Sequence, residues 1–141
     1  KAIRRQRQMC IRDRSKIMEE LVIKKCAHCG AIVKVMEDCN CKWGIQCCGE
    51  EMKTLVPNSV DAAVEKHVPT YEVQDNKILV KVNHVMEDDH YIEWVTFKNG
   101  NKEKTVYFKP GDEAVAKFCY HTGTVIYAYC NKHGLWKKVV E

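Results

Sequence analysis

The sequence predicts a mainly β chain in two parts, a small cysteine-rich, metal-binding module followed by an antiparallel β-sandwich. Three observations carry this. Six cysteines (Cys26, Cys29, Cys39, Cys41, Cys47 and Cys48) crowd into a stretch too short for an apolar core of its own, so a metal must hold it together. From about Thr70, apolar and polar residues alternate in short segments, the period of half-buried strands. Turn signals separate these segments, and no convincing helical pattern comes between them.

Taken in order, the chain opens on "RRQRQMCIRDR" (Arg4–Arg14), which has no apolar periodicity. It resembles the translation of a transposon-end adapter carried into a reading frame. Residues 1–17 are therefore expected to be a non-native or disordered tail, and Cys10 to have no function. The second reading of that stretch is a basic arm for an acidic partner. Residues 18–55 form the metal-binding module. Residues 56–69 hold a linker, with turn residues in "VPNSVDAA" (Val56–Ala63), and a loop leading into the second part. Residues 70–141 supply the sandwich. Its expected strands are Lys77–Val82, His90–Phe97, Lys104–Phe108, Glu113–Tyr120 and Thr124–Cys130. "NG" at Asn99–Gly100 and "KPGD" at Lys109–Asp112 are tight-turn signals.

Charge and cysteine usage narrow the function. The net charge of +4 is misleading, because seven basic residues and one acidic residue lie in positions 1–17. The remainder carries 16 basic and 18 acidic residues, a net −2, which gives no case for nucleic-acid binding. No apolar run approaches the ~20 residues that span a bilayer, so no membrane role is expected. The basic start is not followed by the apolar stretch of a secretory signal. Clustered cysteines without an export signal read as metal ligands in a reducing cytoplasm.

The first cluster offers "KCAHCG" and "QCCGEEM". Four thiolates, Cys26, Cys29, Cys47 and Cys48, suit a tetrahedral site for zinc or a single iron. Gly30 and Gly49 follow each pair, where the chain must turn and let amides approach sulfur. "CNC" (Cys39–Cys41) brings two competitors, but the set Cys26/Cys29/Cys39/Cys41 would close a cramped loop. Cys39 and Cys41 are read as free thiols and His28 as an exposed spacer.

The second cluster is scattered. Cys130 and His133 in "YCNKHGLW" have the reach to hold one ion together, and further ligands must come from upstream. His84 and His90, six apart, can share a metal from a loop or strand edge but not from one helix face. Singly, each histidine is an ordinary residue; with His67 they make a constellation that ordinary roles explain poorly.

These residues carry a family resemblance. "KCAHCG…QCCGEEMKTL", "EKHVP", "H-x5-HYIEW" and "CNKHGLW" resemble the motifs of desulfoferrodoxin, the two-iron superoxide reductase, over residues 18–141. The resemblance implies a catalytic iron held by His67, His84, His90 and His133, with Cys130 as the axial thiolate. It implies a second iron on Cys26, Cys29, Cys47 and Cys48, and an immunoglobulin-like sandwich in a homodimer. The implied activity is one-electron reduction of superoxide to hydrogen peroxide, with electrons from an external rubredoxin-type donor. Lys66 would attract the superoxide anion and Glu65 would gate the site. Two features depart from the family pattern: Val85 stands where proline usually follows the second histidine, and the interval between Cys29 and Cys47 is longer and contains "CNC".

Further readings follow from that assignment. Backbone amides of Asn131, Lys132 and Gly134 are expected to donate to the Cys130 sulfur and temper its electron push. Tyr91, Trp94 and Trp136 are read as packing against the imidazoles. Cys119 and His121 receive no ligand role. Two other classes compete: a zinc-binding interaction module on a β-sandwich, and a non-catalytic iron electron carrier.

Overall fold

The protein is seen as a computed structural model that describes residues 20–60 and 64–141, with the backbone alone at Glu65. The expected tail, residues 1–17, lies outside the described residues. The chain divides into two compact units, with the boundary between Leu55 and Val56.

In the first unit, β1 (Val22–Lys25) lies between β2 (Ile32–Val35) and β5 (Lys53–Thr54) in a three-stranded antiparallel sheet. β3 (Gln46–Cys47) and β4 (Glu50–Glu51) form a separate two-stranded hairpin. The buried apolar side chains are few: Leu21, Ile23, Cys26 and Met52. Lys24 is also buried, and its ammonium pairs with Asp38 at 3.3 Å. So little apolar area cannot offset the ordering entropy of some 35 residues, for which each fixed backbone costs about 1–2 kcal/mol.

The second unit begins with one helical turn, α1 (Val64–His67), which the sequence reading did not anticipate. Two antiparallel sheets follow. One has the order β10–β7–β6, from β6 (Thr70–Gln74), β7 (Lys77–Lys81) and β10 (Val115–Cys119). The other has the order β12–β11–β8–β9, from β8 (Ile92–Asn99), β9 (Lys102–Tyr107), β11 (Val125–Cys130) and β12 (Gly134–Val139). Their facing side chains form one core: Ile78 and Val80 from β7, Ala116 from β10, Val95 and Phe97 from β8, and Ile126 and Ala128 from β11. Phe97 stacks on Phe118 across the layers at 5.0 Å. This is the mainly β sandwich the alternation predicts. β6 and β12 are additional strands: "TYEVQ" is largely exposed, and "GLWKKV" reads first as a ligand motif.

One irregularity positions the functional end. The β8–β11 register shifts between Tyr129 and Cys130, so Tyr129 faces Trp94 while Cys130 faces Ile92. The extra residue on β8 is Glu93. This β-bulge lets Ile92 join Val95 and Phe97 in the core although the three are not on one alternating face. It also keeps Cys130 pointing inward, where it is fully buried at the end of β11.

Candidate metal centres

The first centre is built on two hairpin turns. Cys26 ends the β1–β2 hairpin, whose ladder continues through the Cys26 amide to the Ala31 carbonyl at 2.9 Å. Inside the turn the amides of His28 and Cys29 point at Cys26 Sγ, at 3.4 and 3.5 Å. These donors hold the Cys26 thiol down to about 6, so it is largely thiolate at neutral pH. The amides that approach sulfur thus come from within the knuckle, whereas the Gly30 amide closes the turn on the Cys26 carbonyl at 3.1 Å.

The other pair sits on the β3–β4 hairpin, where Cys47 faces Glu50 across a two-residue turn of Cys48 and Gly49. Both turn residues have positive φ, 54° and 76°, the mark of a type I′ turn. Gly49 takes that conformation freely. Cys48 takes it against a left-handed penalty of roughly 1–2 kcal/mol, which is how consecutive cysteines come to aim two sulfurs at one point. The Cys29–Cys47 and Cys47–Cys48 sulfurs lie 3.7 and 3.9 Å apart, and all four lie within 4.8 Å of one another. Sulfurs ~2.3 Å from a common tetrahedral centre would be ~3.8 Å apart, so the donor set fits a metal. Hydrogen bonding to Cys29 and the other sulfurs pushes the Cys47 thiol up to about 12. His28 is exposed, as expected of a spacer, and its Nε2 meets Glu50 Oε2 at 2.5 Å, tying the two turns together. Cys39 and Cys41 do not join the four.

The second centre draws on five positions of the sandwich. His67 ends α1, His84 and His90 lie between β7 and β8, and Cys130 and His133 flank the β11–β12 turn. Gly134 closes that turn at φ 79°. His67 Nε2 lies 3.2 Å from His84 Nε2 and 3.0 Å from His133 Nδ1, which is 3.3 Å from His90 Nε2. The His84 and His90 rings, 4.6 Å apart, complete a cycle. The imidazoles therefore stand as a square, with His67 opposite His90 and His84 opposite His133. Nitrogens ~2.1 Å from a common centre would be ~3.0 Å apart along the edges of such a square. Cys130 Sγ approaches His84 Nε2 at 3.4 Å and His133 Nδ1 at 3.7 Å.

The protonation pattern supports ligation. His84 Nδ1 donates to the Val85 carbonyl at 2.6 Å, which leaves its Nε2 lone pair aimed at the other donors. Burial, helped by the neighbouring imidazoles, lowers the His84 and His90 pKa values. Four ring nitrogens and one sulfur converge on a single point at the spacings of a shared coordination sphere, so the residues fit a metal ion.

Several supporting contacts were not legible in the motifs. Trp136 stacks on His67 at 4.9 Å and donates through Nε1 to the His133 carbonyl at 3.1 Å, holding two of the imidazoles. The Asn131 side chain accepts from the Tyr91 amide at 3.0 Å and donates to the Asp89 carbonyl at 2.9 Å. It thereby clamps the backbone on both sides of His90 from the residue after Cys130. Two expectations are corrected. Trp94 stacks on Tyr129, not on an imidazole, because both lie on the outer face of their sheet. The Asn131 amide donates to the Tyr91 carbonyl at 3.3 Å, and among the described residues no main-chain amide donates to Cys130 Sγ. Lys66 is exposed and shares a surface cleft with Asn83, His84, Val85 and Glu113. The side chain of Glu65 lies outside the described residues.

A β-sandwich with a square of imidazoles above a buried cysteine, together with a four-thiolate module, defines a small non-haem metalloprotein with two centres. The particular family follows from comparison with known proteins. The family model described as desulfoferrodoxin matches residues 59–139. The desulfoferrodoxin of Syntrophotalea carbinolica is 41% identical over 122 residues, 84% of this chain and 95% of that protein. That of Nitratidesulfovibrio vulgaris is 40% identical over 119 residues, 82% and 93% of the two chains. The solved superoxide reductase of Treponema pallidum has a TM-score of 0.61 at 27% identity, covering 84% of this chain and 98% of that one. This chain belongs to the desulfoferrodoxin family.

Proposed function

We propose that the chain is a superoxide reductase that turns superoxide, one electron and two protons into hydrogen peroxide. The observation that carries this is the square of four imidazoles with its buried cysteine, within a family whose solved relative has that activity. His67, His84, His90, His133 and Cys130 would hold an iron that supplies the electron. Cys26, Cys29, Cys47 and Cys48 would hold the second iron.

The protein's own residues set the conditions. The thiolate side is sealed, since Cys130 and His67 are buried, whereas His84, His90 and His133 are partly exposed. Small anions thus approach over the imidazoles. Lys66 beside His84 raises their local concentration and orients a proton-donating water. Glu65 is assigned as the carboxylate gate next to it. Residues 18–55 form the metal-binding module, 56–69 the linker and first site loop, and 70–141 the catalytic sandwich. Electrons are expected from a rubredoxin-type protein, the chain is expected to form a homodimer, and the compartment is taken to be the cytoplasm. Among the described residues no helix is long and apolar enough to cross a membrane.

The deciding experiment follows superoxide decay with anaerobically purified protein containing two irons per chain. Cys130→Ser should abolish reduction while the absorbance of the four-thiolate centre remains. Zinc in place of iron after anaerobic reconstitution, or full activity in Cys130→Ser, would sink the assignment. Lys66→Ala should slow the superoxide step more at low than at high ionic strength, by about 10-fold or more in dilute buffer.

A further inference from the structure

Outside the two centres, one feature uses chemistry that neither of them requires. The "CNC" segment lies between β2 and β3 with both thiols exposed and the Cys39 and Cys41 sulfurs 3.6 Å apart. We propose that Cys39 and Cys41 form a separate thiol site, a surface dithiol that closes reversibly to an intramolecular disulfide.

The loop is built to hold these sulfurs together. Asp38 anchors it at the base, with Oδ2 on the buried Lys24 ammonium at 3.3 Å and Oδ1 accepting the Cys39 amide at 2.8 Å. Beyond the pair, the Gly44 amide meets the Cys41 carbonyl at 3.4 Å, and Cys41 Sγ reaches the Gly44 carbonyl at 3.8 Å. Both cysteines are thus pinned through their own backbones. Cys41 holds the Cys39 thiol above the ordinary range, as expected where two sulfurs share a proton. A metal site is the weaker reading. Among the described residues, no third cysteine, histidine or carboxylate joins the pair to make a donor cluster.

Oxidation needs no further protein group. One thiolate attacks hydrogen peroxide, the O–O bond breaks, and a sulfenic acid and hydroxide form. The second sulfur attacks the sulfenic sulfur, the S–O bond breaks, and the disulfide forms as water leaves. In sum, two thiols and one peroxide give a disulfide and two waters. The peroxide is the product of the activity proposed above, and the inference rests on that reading only for the oxidant's source. With Asn40 alone between the cysteines, the closed ring is small, strained and exposed. Such disulfides are the readily reduced ones, so two equivalents of a small thiol such as glutathione should reopen it. Cys119, exposed and outside the pair, provides an internal control.

The test treats the intact, metal-loaded chain with a few equivalents of hydrogen peroxide, then alkylates it and analyses the peptides by mass. The expected result is a peptide holding Cys39 and Cys41 that has lost two hydrogens and both alkylation sites, fully restored by glutathione, with the metal content unchanged. Cys119 should form no internal bond. Cys41→Ser should abolish the closed peptide and leave Cys39 as a trappable sulfenic acid. Full alkylation of both cysteines after peroxide, or disulfides joining either one to Cys26, Cys29, Cys47 or Cys48, would overturn the proposal. Because peroxide is added directly, the result does not depend on superoxide turnover.

Discussion

The two metal centres of this protein are assembled in opposite ways. In the first unit each pair of sulfurs comes from one short turn, Cys26–Cys29 or Cys47–Cys48, on a unit with few buried apolar side chains. In the second unit the donors come from α1, the β7–β8 connection and the β11–β12 turn, all resting on a continuous core. The thiolate centre stands in for a core, whereas the imidazole centre sits at the edge of one that exists without it. Where the apolar area is insufficient, metal binding and folding become one event; where it suffices, the metal is an addition to a finished scaffold.

The largest effect should come from removing metal. A structural metal contributes roughly 10–16 kcal/mol of apparent binding energy in small thiolate domains, far more than the first unit gains from burial. A strong chelator under reducing conditions should make residues 20–55 open to limited proteolysis, while 64–141 stays resistant. Equal protection of both parts in the stripped chain would break the contrast.

Within the sandwich, second in size comes Trp136→Ala. Trp136 is almost fully buried, and its loss removes core volume, the stack on His67 and the bond to the His133 carbonyl. A cost of about 3–5 kcal/mol is expected in denaturant unfolding, together with faster iron loss to a chelator. Asn131→Ala should cost less, about 0.5–1.5 kcal/mol, by removing the hydrogen bonds to the part-buried Tyr91 amide and the exposed Asp89 carbonyl, whose places water can take. It should also loosen His90, weakening iron retention by ~10-fold. Neither change should alter protection of residues 20–55, and altered protection there would show that the two units do not respond separately.

The sequence made some of this legible and hid the rest for physical reasons. The four thiolates could be picked out because cysteines crowded into a short stretch have few other roles. The scattered imidazole set became legible through the family resemblance, and both sets converge. The five expected strands of the sandwich also stand, with ends shifted by one or two residues. β12 was hidden because its buried Leu135 and Trp136 lie next to each other, which breaks the alternation. The Glu93 bulge was hidden because it depends on the register between β8 and β11, which no local pattern encodes. Asn131 is read in the sequence only through its backbone amide, because the role of its side chain is a long-range contact. The same limit misled the reading of Trp94: its nearness to His90 in sequence says nothing about which face of β8 it occupies.

The smallest expected effect concerns Val85, where the family usually places proline. The residue is about half exposed, at 47%, and its carbonyl orients His84 through the 2.6 Å bond to Nδ1. Its own amide donates to nothing among the described residues, and proline keeps the carbonyl while removing only that donor. Val85→Pro should therefore preserve His84 and restrict the unfolded chain, stabilising the sandwich by about 0.4–1 kcal/mol. The gain should appear as a rise of a few degrees in the sandwich transition, with the module's proteolysis unchanged. A loss of stability would mean that the backbone at Val85 lies outside the range proline accepts. The His84 loop would then be shaped by valine in a way the proline-bearing relatives do not share.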